Sequence, residues 1–148
     1  MPKKNQLSPQ LKAAQKQFKA NTKKILAMAA TEAVNHFKTN FKLGGFMDRS
    51  LEKWKPRKSK KDKGRGVLIG KGSGRLKRSI KRSSLSATRT IIGVSGTPIK
   101  YASVHNFGLR SGRKKAPFTM PQRKFMGESK VLSKKISRLL ERQLKKIL

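Results

Sequence analysis

Met120-Pro121-Gln122-Arg123-Lys124-Phe125-Met126-Gly127-Glu128-Ser129 joins a loop-rich middle to a final amphipathic segment, and its reading decides how the two halves of the chain meet. Pro121 fixes φ and lacks a backbone donor, so Met120 is pushed towards an extended conformation. Phe125 and Met126 are adjacent apolar groups just before Gly127, where the backbone turns freely. Ser129 is placed to accept from a free N–H of a first helical turn, with Glu128 near the positive end of the dipole. As physics, the stretch is a loop that anchors a helix.

Downstream, a helix is expected from about Glu128 to Leu148. Leu132, Ile136, Leu139, Leu140 and Ile147 share one face, and Lys134, Arg138, Arg142 and Lys145 cluster opposite. Upstream, Leu76 and Ile80 stand four apart in Arg75–Arg82, which reads as a helical turn passing into a strand. Ser79–Leu85 and Thr90–Val94, separated by Ser86-Ala87-Thr88-Arg89, read as the arms of an antiparallel hairpin with Gly96-Thr97-Pro98 as punctuation. Tyr101 to Gly108 is a short segment closed by glycine. Leu109 to Lys115 reads as a basic loop and Ala116–Met120 as a last short strand.

At the other end, residues 1–7 form a basic leader. Ser8-Pro9 supplies an N-cap followed by proline at the first helical position. Leu11, Ala14, Phe18, Ile25, Ala29 and Ala33 recur with helical period on one stripe, and Gly44-Gly45 ends the pattern at a left-handed cap. The predicted helix is about 33 residues and roughly 50 Å long. Lys12, Lys16, Lys19 and Lys23 form a second stripe, open to two readings: a solvated face, or a face that meets an anion. Between Phe46 and Gly74 the chain turns basic and glycine-rich, with little to bury; residues 55–74 read as a flexible loop that includes Lys58, Lys60, Lys61 and Arg65. Trp54, the single tryptophan, reads as an anchor of this segment on the core rather than a base-stacking platform.

The 148 residues suffice for one domain, residues 1–148, with a modest core. A hydrophobic share of 34% makes that core small or shared with neighbours. Cysteine is absent, which removes disulfides and thiolate metal sites. No apolar run reaches the length of a membrane span, and no membrane anchor is expected. The dominant number is charge: 39 Lys+Arg against 6 Asp+Glu give +33. Such a chain seeks polyanions or acidic protein surfaces.

Catalytic chemistry finds little support. Gly70-Lys71-Gly72-Ser73-Gly74 fails the phosphate-loop pattern, because Gly66 and Gly64 are wrongly spaced from Gly70 and Gly72 follows the lysine. Glu32, Asp48, Glu52, Asp62, Glu128 and Glu141 form no acid/base pair and no cluster able to hold a divalent ion. His36 lies on the apolar side of the first helix, and His105 has no carboxylate nearby in sequence to orient it. No enzyme activity and no cofactor are expected.

Four segments taken in order carry a family resemblance: Phe41 through Trp54-Lys55-Pro56; Gly74-Arg75-Leu76-Lys77-Arg78-Ser79-Ile80; Tyr101-Ala102-Ser103-Val104-His105-Asn106-Phe107-Gly108; and Met120 through Gly127. Together, over roughly residues 35 to 148, the chain resembles the phage Mu-like virion morphogenesis proteins, also called tail-completion or neck proteins. Two features depart from that pattern, the long first helix and the long, charged loop around Ser59–Arg65.

The resemblance implies an α+β fold: a long N-terminal helix, a small antiparallel sheet and an amphipathic C-terminal helix. It also implies a non-catalytic protein of the head–tail junction, made in the host cytoplasm and carried in the virion. Its partners would be further copies in a ring, usually of six, together with portal or head-completion proteins and tail proteins. Trp54, Leu76, Ile80, Tyr101, His105, Phe107, Gly108, Pro121, Arg123, Phe125 and Gly127 become the expected packing and assembly residues. Arg123 is expected to make a contact within or between subunits. Lys12, Lys16, Lys19, Lys23, Lys58, Lys60, Lys61 and Arg65 become the expected contacts to duplex DNA or an acidic partner. A ring of six would carry far more charge than the roughly 30 phosphates on about 50 Å of duplex. Most of it is therefore expected to face acidic protein. The rival reading from charge alone is a nucleic-acid binder of ribosomal or nucleoid type; few aromatics and no recognised binding module speak against it.

Overall fold

The computed structural model describes residues 8–58, 64–70, 74–95 and 100–147. Helix α1 spans Pro9–Leu43. Ser8 Oγ accepts from Leu11 N at 3.2 Å, Pro9 occupies the first turn, and Gly44 closes the helix at φ 65°, ψ 33°. These are the caps expected from the sequence. At 35 residues the helix is about 52 Å long.

The antiparallel pairing takes the form of three separate two-stranded ribbons rather than one sheet. Strand β1 (Gly45–Met47) pairs with β2 (Leu51–Lys53). After helix α2 (Arg75–Ser79), β3 (Ile80–Leu85) pairs with β4 (Thr90–Val94), the expected hairpin, with a register shift between Arg82 and Ser84. Helix α3 (Lys100–Phe107) precedes β5 (Arg110–Arg113), which pairs with β6 (Ala116–Thr119). The expected basic loop at 109–115 is thus one arm of a hairpin. Its arginines do not disfavour an edge strand, since charge on an exposed edge keeps other strands away. The β1–β2 ribbon was unexpected too, being three residues on each side.

Helix α4 (Lys130–Leu144) starts two residues later than predicted because Ser129 is its N-cap, accepting from Leu132 N at 3.1 Å. It runs back along α1: Ser129 Oγ donates to Met47 O at 2.7 Å, and Lys135 reaches Glu32 at 3.5 Å. Leu132 is buried and Ile136 packs on the core, whereas Leu144 and Ile147 remain exposed.

The core lies at the C-terminal half of α1. Ala33, Phe37 and Phe41 meet Phe46, Trp54, Leu76, Ile80, Ala102, Phe125 and Leu132. Phe41 stands edge-on to Trp54 at 5.5 Å between ring centroids and tilted to Phe125 at 5.4 Å. Such pairs add about 0.5–1.5 kcal/mol each beyond area burial. The segment 55–74, expected to bury little, packs half-buried Val67, Leu68 and Ile69 against this core. The physical reason is that a short β-branched and leucine run survives among its basic residues. The other surprise is at the start of α1. Residues 9–20 are all exposed, with Leu11 at 56% and Phe18 at 68%. The apolar stripe has the right period, but only its half from Ile25 onward is covered.

Candidate assembly site

Met120–Ser129 is irregular backbone laid across the core, and buried polar groups hold it in place. Two asparagines do most of this. Asn106, on α3, accepts through Oδ1 from both Phe125 N at 2.9 Å and Met126 N at 3.0 Å. Asn40, fully buried on α1, donates to Phe125 O at 3.2 Å and accepts from Met47 N at 3.2 Å. One residue of the loop is therefore gripped at both its N–H and its C=O, by two different helices. Trp54 Nε1 donates to Lys124 O at 2.7 Å. Backbone polar groups taken from water cost dearly unless paired, and these side chains supply the pairing that a sheet would otherwise give.

Arg123 sits at the centre of the junction, 8% exposed. Its N–H donates to His105 O at 2.7 Å, its Nε to Lys55 O at 3.1 Å and its Nη2 to Pro56 O at 3.4 Å. The contacts shown are thus within the subunit, stitching the 55–56 segment to α3. Burial, then the charge of Arg57, pushes its pKa below the ordinary arginine value. Gly108 ends α3 at φ 66°, and a Cβ there would stand 3.2 Å from both the Cα and the N of Gln122. The loop can cross this closely only because the residue is glycine.

At the far end, Asp48 ties down the start of α4: Lys130 N donates to Asp48 Oδ1 at 2.8 Å and Val131 N to Asp48 O at 3.0 Å. A carboxylate at a helix N-terminus is favoured by both bonding and dipole. His36 Nε2 donates to Met47 O at 3.2 Å, the carbonyl that also receives Ser129. Burial lowers the pKa of His36, as it does that of His105, where Arg123 lowers it further.

The sequence-predicted residues fall into several groups. Trp54, Leu76, Ile80, Arg123 and Phe125 come together in and around the core, with Gly108, Pro121 and Gly127 shaping the backbone beside them. Tyr101, His105 and Arg123 line one cavity with Arg57 and Arg75. Phe107 stands apart, 62% exposed, at an apolar groove of about 600 Å³ between β4, α3 and the loop. Lys12, Lys16, Lys19 and Lys23 lie along the exposed start of α1; Lys58 is exposed and Arg65 half-buried. Lys60 and Lys61 lie outside the described residues. Sequence reasoning missed Asn40, Asp48 and Asn106. Asn40 had a visible signal, an amide on the stripe of Ala33, Phe37 and Phe41, where a polar group must find a buried partner.

Among the described residues, no three His, Asp or Glu side chains stand together as metal ligands, and no helix is long and apolar enough to cross a membrane. What fold and site define is a small, basic α+β chain whose polar network fixes the path of its own backbone. The chain belongs to the phage virion morphogenesis family, whose model matches residues 3–145. No curated protein and no solved structure matches it.

Proposed function

We propose that the protein is a tail-completion or neck component of the head–tail junction, forming a homo-oligomeric ring that joins the capsid connector to the tail around the DNA path. Membership of a virion morphogenesis family makes it a virion structural or assembly protein. The observation that carries the ring is the uncovered first half of α1, an apolar stripe through Leu11, Ala14 and Phe18 on about 18 Å of exposed helix. Helices gain most of their stability from packing such a face, so an uncovered stripe favours a partner surface.

The receiving surface is the groove lined by Phe37, Ile92, Val94, Ala102, Phe107 and Met126 on the next copy. Among the described residues no lysine or arginine lines it, although the chain carries +33. A basic helix from a second copy meets no like charge from those residues. Heterologous contact of this sort, arm to groove, closes into a ring when the rotation between copies allows. The lysines at 12, 16, 19 and 23 then stay on the outer side of the arm, available to DNA or to acidic surfaces of the portal, head-completion and tail proteins.

Deleting the gene from the phage should leave filled heads and separate tails that fail to join, and supplying the protein in trans should restore infectious particles. Normal tailed virions from the deletion would overturn the proposal.

A further inference from the structure

We propose that the cavity between the Val67–Ile69 segment and the Arg123 junction binds a small oxyanion, of the phosphate or carboxylate class. The cavity is about 340 Å³ and is lined by Arg57, Arg75, Tyr101, His105 and Arg123 over a floor that includes Leu76. That volume is within the range of small-molecule sites. Three arginines and a histidine line it together, and none of the described lining residues is acidic. Cations brought together without a counter-ion repel one another; the pKa of Arg123 is lowered first by burial and then by the charge of Arg57.

Bonding capacity is left over as well. Arg57 spends Nη2 on Gly66 O and Ile69 O, each at 2.7 Å, while its Nε is buried without a partner among the described residues. His105 Nδ1 is buried and unpartnered in the same sense. Arg75 is exposed and its side chain has no hydrogen-bond or ion-pair partner among the described residues. The backbone of Leu68, at φ 62°, holds the wall of the cavity in a left-handed conformation that a leucine rarely adopts. Arginine forks match the planar and tetrahedral oxyanions better than any other side chain, and such charge-assisted bonds are the strong ones. The oxyanion is either free phosphate, which does not rest on the ring, or a carboxylate presented by a second copy, which does.

The test uses the purified full-length chain, titrated with inorganic phosphate against chloride at matched ionic strength. We expect a saturable rise in melting temperature with phosphate alone, and an upward move of the His105 titration midpoint seen by NMR of the ring nitrogens. Arg75→Gln, at an exposed position, should fold as the parent does in chloride but weaken the phosphate Kd by about tenfold, the worth of one charge-assisted bond. If the natural occupant is a carboxylate of another copy, phosphate will also dissociate the oligomer and Arg75→Gln will weaken self-association. If it is free phosphate, the oligomeric state will not respond. Equal responses to phosphate and chloride, or a phosphate Kd unmoved by Arg75→Gln, would overturn the proposal.

Discussion

Two parts of this molecule are built on opposite principles. Phe125 and its neighbours lie in irregular backbone, yet every polar group of that residue is held and its ring is packed against Phe41. The first half of α1 is regular helix with ordinary caps, yet residues 9–20 are exposed throughout. Regularity and tertiary support are thus separate properties. A loop can be the most constrained part of a fold when buried amides complete its hydrogen bonds, and a helix can be held by little beyond its own ladder.

Substitutions should expose that contrast, the largest effect first. Phe125→Ala removes a fully buried ring and should cost about 3–5 kcal/mol, read as a lower denaturation midpoint at unchanged m-value. Asn106→Ala leaves the buried N–H of Phe125 and the half-buried N–H of Met126 without their acceptor, at about 1–3 kcal/mol for the first and less for the second. Its amide exchange at those two positions should rise before global unfolding does. A loss below about 0.5 kcal/mol would mean that water replaces the asparagine and that the loop is not constrained as described.

Acidification should act on the same region, more weakly. His36 and His105 both have folded pKa values below their ordinary value near 6.5, chiefly from burial. For His36 the remaining influences are Met47 O, Lys135 and Glu32; for His105 it is Arg123. The unfolded chain therefore binds more protons in that window, so stability is full above the ordinary pKa and falls as pH drops below it. Denaturation midpoints at pH 7.5 and 5.5 would check the sign; His36→Gln should flatten the slope. The smallest effect on the isolated subunit belongs to Phe18→Ala, which should change its stability by less than about 0.5 kcal/mol. The same substitution should weaken self-association sharply, measured by sedimentation. An arm that needs Phe18 for subunit stability would erase the contrast.

The comparison also explains what could be read from residues alone. Both long helices and the β3–β4 hairpin were legible because their signals are local: Ser8-Pro9 and Gly44 bracket α1, Ser129 caps α4, and β-branched residues mark β4. Ribbons β1–β2 and β5–β6 were not, since strands of three or four residues have no periodicity to show and exist through pairing. The loop at 120–129 was legible as a helix anchor. Its fastening was not, because Asn40, Asn106 and Trp54 lie up to 85 residues from their partners. The stripe on α1 shows the reverse error. Periodicity reports that a face is apolar, never which surface covers it.

The arm and the loop meet in one prediction. In a cryo-EM reconstruction of the intact virion, this chain should form a closed ring at the head–tail junction. The α1 arm of each copy should lie on the Phe37–Phe107 groove of the next, and the 120–129 loop should keep its hydrogen bonds. Density for the chain elsewhere in the particle, or a junction ring whose arms touch no neighbouring groove, would contradict the account.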